Sequence, residues 1–295
     1  MDTHLPIAIA STLCFSTGMV TSRVGLKYAD PRAGAAISVP SAAAMFLVLA
    51  PFTIAWSTVN WTAVAIFAAV GFFYPAMVTL ITFRSNEQLG PTPTSAIAGT
   101  APLFAMLAAA LLLGEAVSPE AAAAAAGVAA GVAVMLSRPR GSIHHPPLRH
   151  YQWPLLGAVL RGLSQSGAKA GLMLWPNAFA ASVVGYLVSA ATVLTLHRQR
   201  HPRPVVSPTG KHWFIATGLV NGAAMILMYA ALARAPVSVV APIIAAYPAV
   251  TALIQIIFLR DARPTARTLL GMLMTVSAIV YLVSAPAPLN PKVLP

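Results

Sequence analysis

Two stretches of the chain align with each other without a gap, at a fixed offset of 146 residues. Residues 83–116 read FRSNEQLGPTPTSAIAGTAPLFAMLAAALLLGEA, and residues 229–262 read YAALARAPVSVVAPIIAAYPAVTALIQIIFLRDA. The same offset pairs residues of like type along the chain: Pro102 with Pro248, Glu115 with Asp261, Arg23 with Lys169, and Gly25 with Gly171. Because the register holds at both ends of each half, the sequence predicts an internal duplication.

Composition indicates the class of protein that carries this duplication. Of the 295 residues, 58% are hydrophobic and 8% are charged, whereas a soluble domain carries roughly 25% charged residues. The mean hydropathy of the whole chain is +0.78, so its apolar character is not confined to one anchor. Disorder needs low hydrophobicity, and a disulfide scaffold needs a partner for Cys14, which is the only cysteine. The composition therefore favours an integral, multi-pass membrane protein.

The apolar runs divide into ten membrane spans. A bilayer core of about 30 Å needs about 20 apolar residues per helix, and residues 33–83 carry no charge and suffice for two helices. The runs lack the alternation of barrel strands, and lipid cannot satisfy open backbone groups, so each run must be a helix. The predicted spans are 5–27, 33–56, 61–83, 94–113, 119–137, 153–174, 178–196, 213–233, 237–259 and 268–285.

Each unit of the duplication contains five spans, and an odd number of crossings turns the second unit upside down in the membrane. The sequence thus predicts an all-α membrane protein whose ten transmembrane helices form two inverted five-helix repeats. Inverted repeats of this kind place a binding site near the midplane, where the halves meet. We expect the first repeat to span 1–138, a connecting loop 139–152, the second repeat 153–287 and a tail 288–295.

The five-span unit resembles the EamA-type unit of the drug/metabolite transporter superfamily. The resemblance rests on the helix count, the tandem duplication, and a fourth helix that carries Pro102 and ends in Leu113-Gly114-Glu115; the second copy has Arg260-Asp261 in place of Gly-Glu. It covers nearly the whole chain. It implies a secondary transporter rather than an enzyme, often an exporter of amino acids or other small metabolites, and we expect a multi-pass protein of the bacterial inner (plasma) membrane.

The distribution of the basic residues indicates how the chain is oriented in the membrane. Lys and Arg number 18 against 6 Asp and Glu, which gives a formal net charge of +12. The cations lie in short clusters between apolar segments, and no cluster is long enough to cover a nucleic acid, so no nucleic-acid partner is expected. The two sets of alternate loops carry 13 and 2 of these cations. The positive-inside rule then places both termini outside, whereas the family resemblance implies cytoplasmic termini.

Three polar residues within the sixth span are the leading candidates for a substrate site. Arg161, Gln165 and Lys169 follow an i, i+4, i+8 spacing, which aligns them on one face of a helix over about 12 Å. An ionisable side chain inside a span costs a few kcal/mol unless it faces protein or a water-filled cavity. The alternative is structural: Lys169 reaches the interface, and Arg161 bonds the open carbonyls of a broken helix.

Residues on other spans complete the predicted cavity. Tyr74, Asn221 and Tyr247 are candidate substrate-binding residues, with Tyr247 and Gln165 orienting the substrate, although interhelical hydrogen bonds are the alternative role for each. Pro102 and Pro248 remove a helix hydrogen bond at matching positions of the two repeats. They are therefore candidate hinges, with static kinks as the alternative.

The acidic residues narrow the substrate class. None of the six Asp and Glu residues lies in the middle of a predicted span. A carrier that exchanges protons for hydrophobic cations needs a buried carboxylate, so the sequence argues against that mechanism. A cationic, hydroxyl-rich cavity suits a carboxylate or a phosphate, as in amino acids, organic acids and phosphorylated metabolites. The expected partners are a small-molecule substrate and the lipid bilayer.

A GxxxG pattern in the fifth span lets another helix approach closely. Gly127 and Gly131 form it, after a run of alanines. The partner helix belongs either to the same chain or to a second copy in a homodimer, and we favour the same chain.

The histidines of the middle loop give the rival interpretation. His144, His145 and His150 have no Cys or carboxylate at metal-ligand spacing, so neither a metal site nor a cofactor is expected. An integral membrane enzyme acting on lipid or polyprenyl-phosphate headgroups would use these histidines together with Glu115. A non-transporting scaffold subunit is a third alternative, for which embedded cations have no evident use.

Overall fold

The structure is a computed structural model that describes residues 3–54, 59–136, 147–199, 206–259 and 265–284. In these ranges the regular structure is entirely helical, and the chain forms ten membrane helices, as predicted. His144, His145 and Asp261 lie outside them. The helices are α1 (His4–Gly25), α2 (Pro31–Thr53), α3 (Trp61–Leu89), α4 (Pro91–Ala98 and Ala101–Leu113), α5 (Pro119–Leu136), α6 (Gln152–Leu174), α7 (Ala178–Arg198), α8 (Pro208–Leu232), α9 (Val237–Ile244 and Tyr247–Ile254, then a π-helical turn Gln255–Leu259) and α10 (Ala266–Ser284).

Two helices extend beyond their predicted bounds by five residues or more. α3 continues past residue 83 to Leu89, because Arg84 and Glu87 lie exposed on its last turns and do not interrupt it. α8 begins at Pro208 rather than at residue 213. There the Ser207 side chain accepts a hydrogen bond from the backbone N–H of Gly210 (3.2 Å), and proline occupies the first helical position, where its missing N–H is harmless.

Helix caps recur at matching places in the two repeats. α2 and α7 begin after Asp30 and Asn177, and α3 and α8 begin after Asn60 and Ser207. Each of these four side chains accepts a hydrogen bond from a backbone N–H of the first turn, which would otherwise be unsatisfied. Both pairs are related by the offset of the duplication to within one residue, so the repeats share their local start signals as well as their apolar pattern.

The fourth helix of each repeat is broken at the same point. α4 is interrupted at Gly99-Thr100, and α9 is interrupted at residues 245–246, the positions that the offset makes equivalent. Pro102 and Pro248 follow the breaks at the second position of the new segment, where proline cannot donate back to the preceding turn. The kinks predicted at these prolines are therefore present as complete breaks.

The third helix of the first repeat also departs from regular geometry. α3 is kinked at Phe72–Met77, a segment that contains Pro75. Within it Tyr74 has an extended backbone (φ −138°, ψ 118°), so the helix changes direction there. The segment Val78–Leu89 therefore leaves the turn along a new axis.

Helix packing follows the duplication. α1 packs on α8 and α9, and its counterpart α6 packs on α3 and α4. α2 packs on α8 as α7 packs on α3, while α2 packs against its own counterpart α7, and α5 against its own counterpart α10. An arrangement that maps onto itself when the halves are exchanged has an approximate two-fold axis between them. With five crossings per half, the molecule is two inverted five-helix repeats.

The GxxxG pattern of α5 is used inside the chain. A Cβ placed on Gly131 would lie 2.5 Å from Thr275 Oγ1 and 2.7 Å from the carbonyl oxygen of Gly271, and one placed on Gly127 would lie 2.7 Å from Ala278 Cβ. Two backbones approach this closely only where small residues face each other. The glycines thus join α5 to α10 and close the pseudo-two-fold contact of the fifth helices.

The outer surface is that of a membrane protein. Seven of the described helices are long and apolar enough to cross a membrane, and α5 and α10 are apolar over shorter windows. α6 is amphipathic because it carries Arg161 and Lys169. Large apolar side chains such as Val48, Phe52 and Leu111 are exposed on the outside of the bundle, where lipid replaces water. The chain is therefore an integral, multi-pass membrane protein.

Replacing Gly131 tests the packing of the fifth helices. We expect Gly131→Leu to lower the free energy of unfolding by about 1–3 kcal/mol, because the larger side chain overlaps the α10 backbone. The melting temperature in detergent measures this effect, with Ala130→Leu on the exposed side of the same turn as the control. Equal melting temperatures for the two variants would contradict the α5–α10 contact.

Candidate functional site

Arg161 lies in the middle of α6 and is buried, with 6% of its side chain exposed. Three aromatic rings surround its guanidinium group: Cζ lies 5.2 Å from the ring centroid of Tyr74, 5.4 Å from that of Tyr247 and 5.6 Å from that of Phe15. Arginine stacks favourably on aromatic faces, so the rings hold the charged group in a defined position. Four helices, α1, α3, α6 and α9, contribute to this arrangement.

The position of Arg161 relative to the repeats locates it on the approximate symmetry axis. Phe15 precedes Arg161 by the offset of the duplication, so the two residues are counterparts. Their side chains touch each other. A residue can contact its own symmetry counterpart only close to the two-fold axis, which places Arg161 where the two halves meet.

A small cavity adjoins the Arg161 guanidinium group. Its volume is about 40 Å³, which is room for a few water molecules. It extends from Arg161 along α1, α3 and α8 toward the loop between α1 and α2. The lining residues are Phe15, Gly18, Met19, Ser22, Tyr74, Pro75, Val78, Thr79, Thr82, Phe83, Arg161, Tyr186, Asn221 and Tyr247.

Within the described residues, the charge of Arg161 has no counter-charge in this cavity. None of the lining residues is Asp or Glu. Among the described residues, no hydrogen-bond partner is found for Arg161 Nε or for the hydroxyl groups of Tyr74 and Tyr247, all of which are buried. Burying an ion costs several kcal/mol unless a partner compensates. The site is therefore a cluster of buried donors with one positive charge, for which the described residues provide no hydrogen-bond partner to Arg161 Nε or to the two tyrosine hydroxyl groups.

The structure brings four of the predicted substrate-binding residues together. Arg161, Tyr74, Tyr247 and Asn221 all line the cavity. Gln165 lies one turn further along α6 and is buried outside the lining. Its Nε2 approaches Met228 Sδ at 3.7 Å, and its Oε1 has no partner in the described part of the chain. A substrate-orienting role for Gln165 stays a prediction.

Lys169 lies outside the cavity and performs a structural task. Its Nζ donates hydrogen bonds to the carbonyl oxygens of Leu232 (2.8 Å) and Ala235 (3.1 Å), where α8 ends. Cations stabilise helix C-termini, whose last carbonyls lack partners within the helix. Lys169 thus makes the kind of carbonyl contact that was considered for Arg161, and a substrate-binding role for Lys169 stays a prediction.

The counterpart of Lys169 makes the equivalent contact in the first repeat. Arg23 donates from Nη1 to the carbonyl oxygens of Asn86 (3.0 Å) and Glu87 (3.3 Å) at the end of α3. Asn86 is the counterpart of Leu232 under the same offset. The end of the first helix in each repeat therefore caps the end of the third helix, at opposite faces of the inverted bundle.

The helix break in α9 is tied directly to the cavity. Tyr247 begins the second segment of α9, so its ring reaches Arg161 while its backbone lies at the break. Hydroxyl groups of α1 hold this part of the backbone: Ser16 donates to the carbonyl oxygen of Tyr247 (3.0 Å), and Thr12 donates to that of Ile243 (3.2 Å). Pro248 is thus adjacent to a site residue, and a hinge role for Pro102 and Pro248 stays a prediction.

Several lining residues were not predicted from the sequence. Phe15, Thr82 and Tyr186 lie in apolar spans whose periodicity does not show which face meets the cavity. A signal for Phe15 was available, because the offset pairs it with Arg161. The pairing of a ring with a guanidinium group marks a place where the two repeats have diverged.

Of the residues proposed for the rival enzyme, Glu115 and His150 lie in the described part of the chain, whereas His144 and His145 lie outside it. Both carboxylate oxygens of Glu115 face the backbone N–H of Val237, at 3.0 and 3.4 Å, and so satisfy the start of α9. His150 lies in the short turn before α6. In the described ranges, no three His, Cys, Asp or Glu residues come together as metal ligands.

The fold and the site together define the class. A bundle of ten membrane helices in two inverted repeats, with a buried cation where the repeats meet, has the architecture of a membrane transporter. The model of the EamA-like transporter family matches the chain twice, over residues 4–137 and 151–284. The chain belongs to this family, and the resemblance to drug/metabolite transporters is confirmed.

Other comparisons concern the fold. A solved structure, described only as the crystal structure of a protein, is 18% identical in sequence and superposes with a TM-score of 0.75. The similarity covers 95% of this chain and 96% of that one. None of the curated proteins compared matches the chain.

Paired substitutions separate a binding role from a structural one. We expect Arg161→Met to leave the melting temperature equal to or above that of the unmodified protein, because it removes a buried charge without a counter-charge. We expect Lys169→Met to lower the free energy of unfolding by about 1–3 kcal/mol, because two carbonyl groups lose their donor.

Thermal unfolding of both variants in the same detergent provides the measurement. A loss of stability in Arg161→Met as large as that in Lys169→Met would mean that Arg161 also serves the fold. The two side chains lie on one helix, so the comparison controls for the position in the bundle.

Proposed function

We propose that this protein is a secondary carrier that exports a small polar metabolite with a carboxylate or phosphate group, such as an amino acid, an organic acid or a phosphorylated compound, by alternating access. The observation that carries the proposal is the buried guanidinium group of Arg161, which lies between the two repeats without a counter-charge. The direction of transport and a place in the bacterial plasma membrane rest on the family resemblance.

The chemistry of the cavity favours an anion. Arg161 supplies a planar set of donors that matches a carboxylate or phosphate. The unpaired hydroxyl groups of Tyr74 and Tyr247 add two donors beside it, and the Asn221 side chain lies in the same lining. An anion that enters this site compensates the charge of Arg161 and satisfies the hydroxyl groups, so binding relieves a cost that the empty site carries.

The cavity beside Arg161 is so small that the helices around it must move before a substrate can bind. A volume of about 40 Å³ is too small for a metabolite, so the site must widen before substrate enters. The breaks in α4 and α9 and the turn in α3 interrupt helix hydrogen bonds close to Arg161. Such interruptions are where helices bend most easily. We propose that the two halves rock about these points and expose the site to each face in turn.

We do not propose that a carboxylate in this cavity couples transport to the movement of protons. The four acids within the described residues lie at helix ends or in short loops: Asp30, Glu87, Glu115 and Glu120. None of them lines the Arg161 cavity.

Matched ligand pairs test the substrate class. We expect a thermal-shift screen of the purified protein to find metabolites whose acid form raises the melting temperature, while the corresponding neutral amide does not. Equal shifts for acids and amides would argue against charge recognition by Arg161.

Substitutions then connect the ligand to the site. We expect Arg161→Ala to weaken binding of such an anion by roughly 100-fold or more and to abolish its flux in reconstituted vesicles, because a buried ionic contact is lost. We expect Tyr247→Phe to weaken binding about tenfold through loss of one donor to a charged group. Arg234→Ala is the control, since Arg234 is exposed, lies outside the cavity lining and donates to the carbonyl oxygen of Ala230 at its own helix end. Unchanged flux in Arg161→Ala would remove Arg161 from the substrate site.

A further inference from the structure

A second, larger cavity of about 850 Å³ lies among the ends of α2, α3, α6 and α7. It is separate from the Arg161 cavity, because the two lie on opposite faces of the same segment of α3. Val78 and Thr82 face the Arg161 cavity, whereas Leu80 and Arg84 face the second one. We call this second cavity the vestibule; its lining residues are Asp30, Pro31, Arg32, Met77, Leu80, Ile81, Arg84, Glu87, Gln88, Trp153, Val193, Leu196, His197 and Gln199.

The vestibule has an apolar wall and a polar rim. The wall consists of Met77, Leu80, Ile81, Val193 and Leu196. On α3 it extends from the rim at residue 84 to residue 77, which is about 10 Å of helix. A small hydrophilic metabolite would gain nothing from such a wall, whereas an acyl chain would bury apolar surface against it.

The charges of the described rim residues balance. Arg32 and Arg84 contribute two positive charges, and Asp30 and Glu87 contribute two negative charges. The guanidinium group of Arg84 lies 4.6 Å from the ring centroid of Trp153, which fixes its position at the mouth of the vestibule. A neutral rim with both signs of charge complements a headgroup that itself carries one charge of each sign.

The rim also contains a buried acceptor without a donor. Gln88 Oε1 is buried, and no partner for it is found within the described residues; the same holds for His197 Nδ1 on the facing helix. A buried carbonyl oxygen without a hydrogen bond costs free energy. A primary ammonium group can donate to it, whereas a quaternary ammonium group cannot.

The two helices that flank the vestibule contact each other little within the described residues. α6 and α7 are joined by the short loop at residues 175–177 and contact each other sparsely elsewhere. At their other ends, Trp153 and His197 line the vestibule between them. The loops at this face belong to the cation-rich set, which the positive-inside rule places at the headgroups of the cytoplasmic leaflet.

We propose that the vestibule binds an aminophospholipid of the phosphatidylethanolamine type. Its phosphodiester pairs with Arg32 and Arg84, its ammonium group donates to Gln88 and pairs with Glu87, and one acyl chain lies along the apolar wall. This site is independent of the proposed substrate site, from which the segment Val78–Leu89 of α3 separates it.

Lipid titration of delipidated, purified protein in detergent tests the proposal. We expect phosphatidylethanolamine to bind about tenfold more tightly than phosphatidylcholine or phosphatidylglycerol of the same chain length, as measured by native mass spectrometry and by the rise in melting temperature. Gln88→Leu should bring the preference for phosphatidylethanolamine over phosphatidylcholine to within about twofold, because it removes the acceptor for the ammonium group. Arg84→Gln should weaken binding of both lipids about tenfold.

Controls distinguish the vestibule from general lipid contact. Arg198→Gln changes an exposed arginine at the same end of α7 that does not line the vestibule, and it should bind all lipids as the unmodified protein does. Arg161→Met should also retain lipid binding, whatever its effect on transport.

Three outcomes would overturn the proposal. Equal affinities for the three phospholipids would exclude recognition of the headgroup. Equal effects of Arg84→Gln and Arg198→Gln would exclude the vestibule as the place of binding. Binding of soluble glycerophosphoethanolamine, or of inorganic phosphate, as tightly as the lipid would assign the rim to a soluble phosphate compound.

Discussion

A buried positive charge, for which the described residues provide no counter-charge, is the physical constraint on which the rest of this structure depends. The guanidinium group of Arg161 is buried among three aromatic rings at the contact between two halves of the chain. The rings stabilise it in part, but they neither neutralise its charge nor satisfy its Nε donor. The two repeats meet at this group, and the helix breaks lie close to it. A site of this kind is stable enough to form, and it is stabilised further by an anion.

The duplication explains how such a site arises. Where the two repeats still agree, their shared residues build the scaffold: Arg23 and Lys169 close the ends of α3 and α8, and the broken helices α4 and α9 occupy equivalent places. They differ at Phe15 and Arg161, where the first repeat has an aromatic ring and the second repeat has the buried guanidinium group of the candidate site. The residues that the repeats share thus build the scaffold, and the difference between Phe15 and Arg161 provides the charged group of the candidate site.

Much of the fold could be predicted from the sequence, because length and hydropathy determine how many helices cross a bilayer and the offset determines how they are related. The burial of Arg161 followed from the same reasoning, since an ionisable group inside a span must avoid lipid.

The contacts of Lys169 could not be predicted in this way. Its spacing places it on the face of Arg161, but the carbonyl groups that it caps belong to α8, and no helical periodicity reports how near another helix ends. The extra turns of α3 were not predicted either, because Arg84 and Glu87 are exposed and lower the hydropathy without ending the helix. The vestibule could not be inferred either, as it lies between helix ends that are distant in sequence.

The central claim is that the Arg161 cavity lies between inverted halves and opens to each face of the membrane in turn. Cysteine labelling at Thr79, which lines this cavity, tests it most directly. Cys14 is the only native cysteine, so Cys14→Ser provides a clean background. Membrane-impermeant maleimide is applied to right-side-out and to inside-out vesicles that carry Thr79→Cys. The account predicts labelling in both preparations, with a bound substrate anion changing the rate from each side. Labelling from one side only, whatever ligand is present, would contradict it.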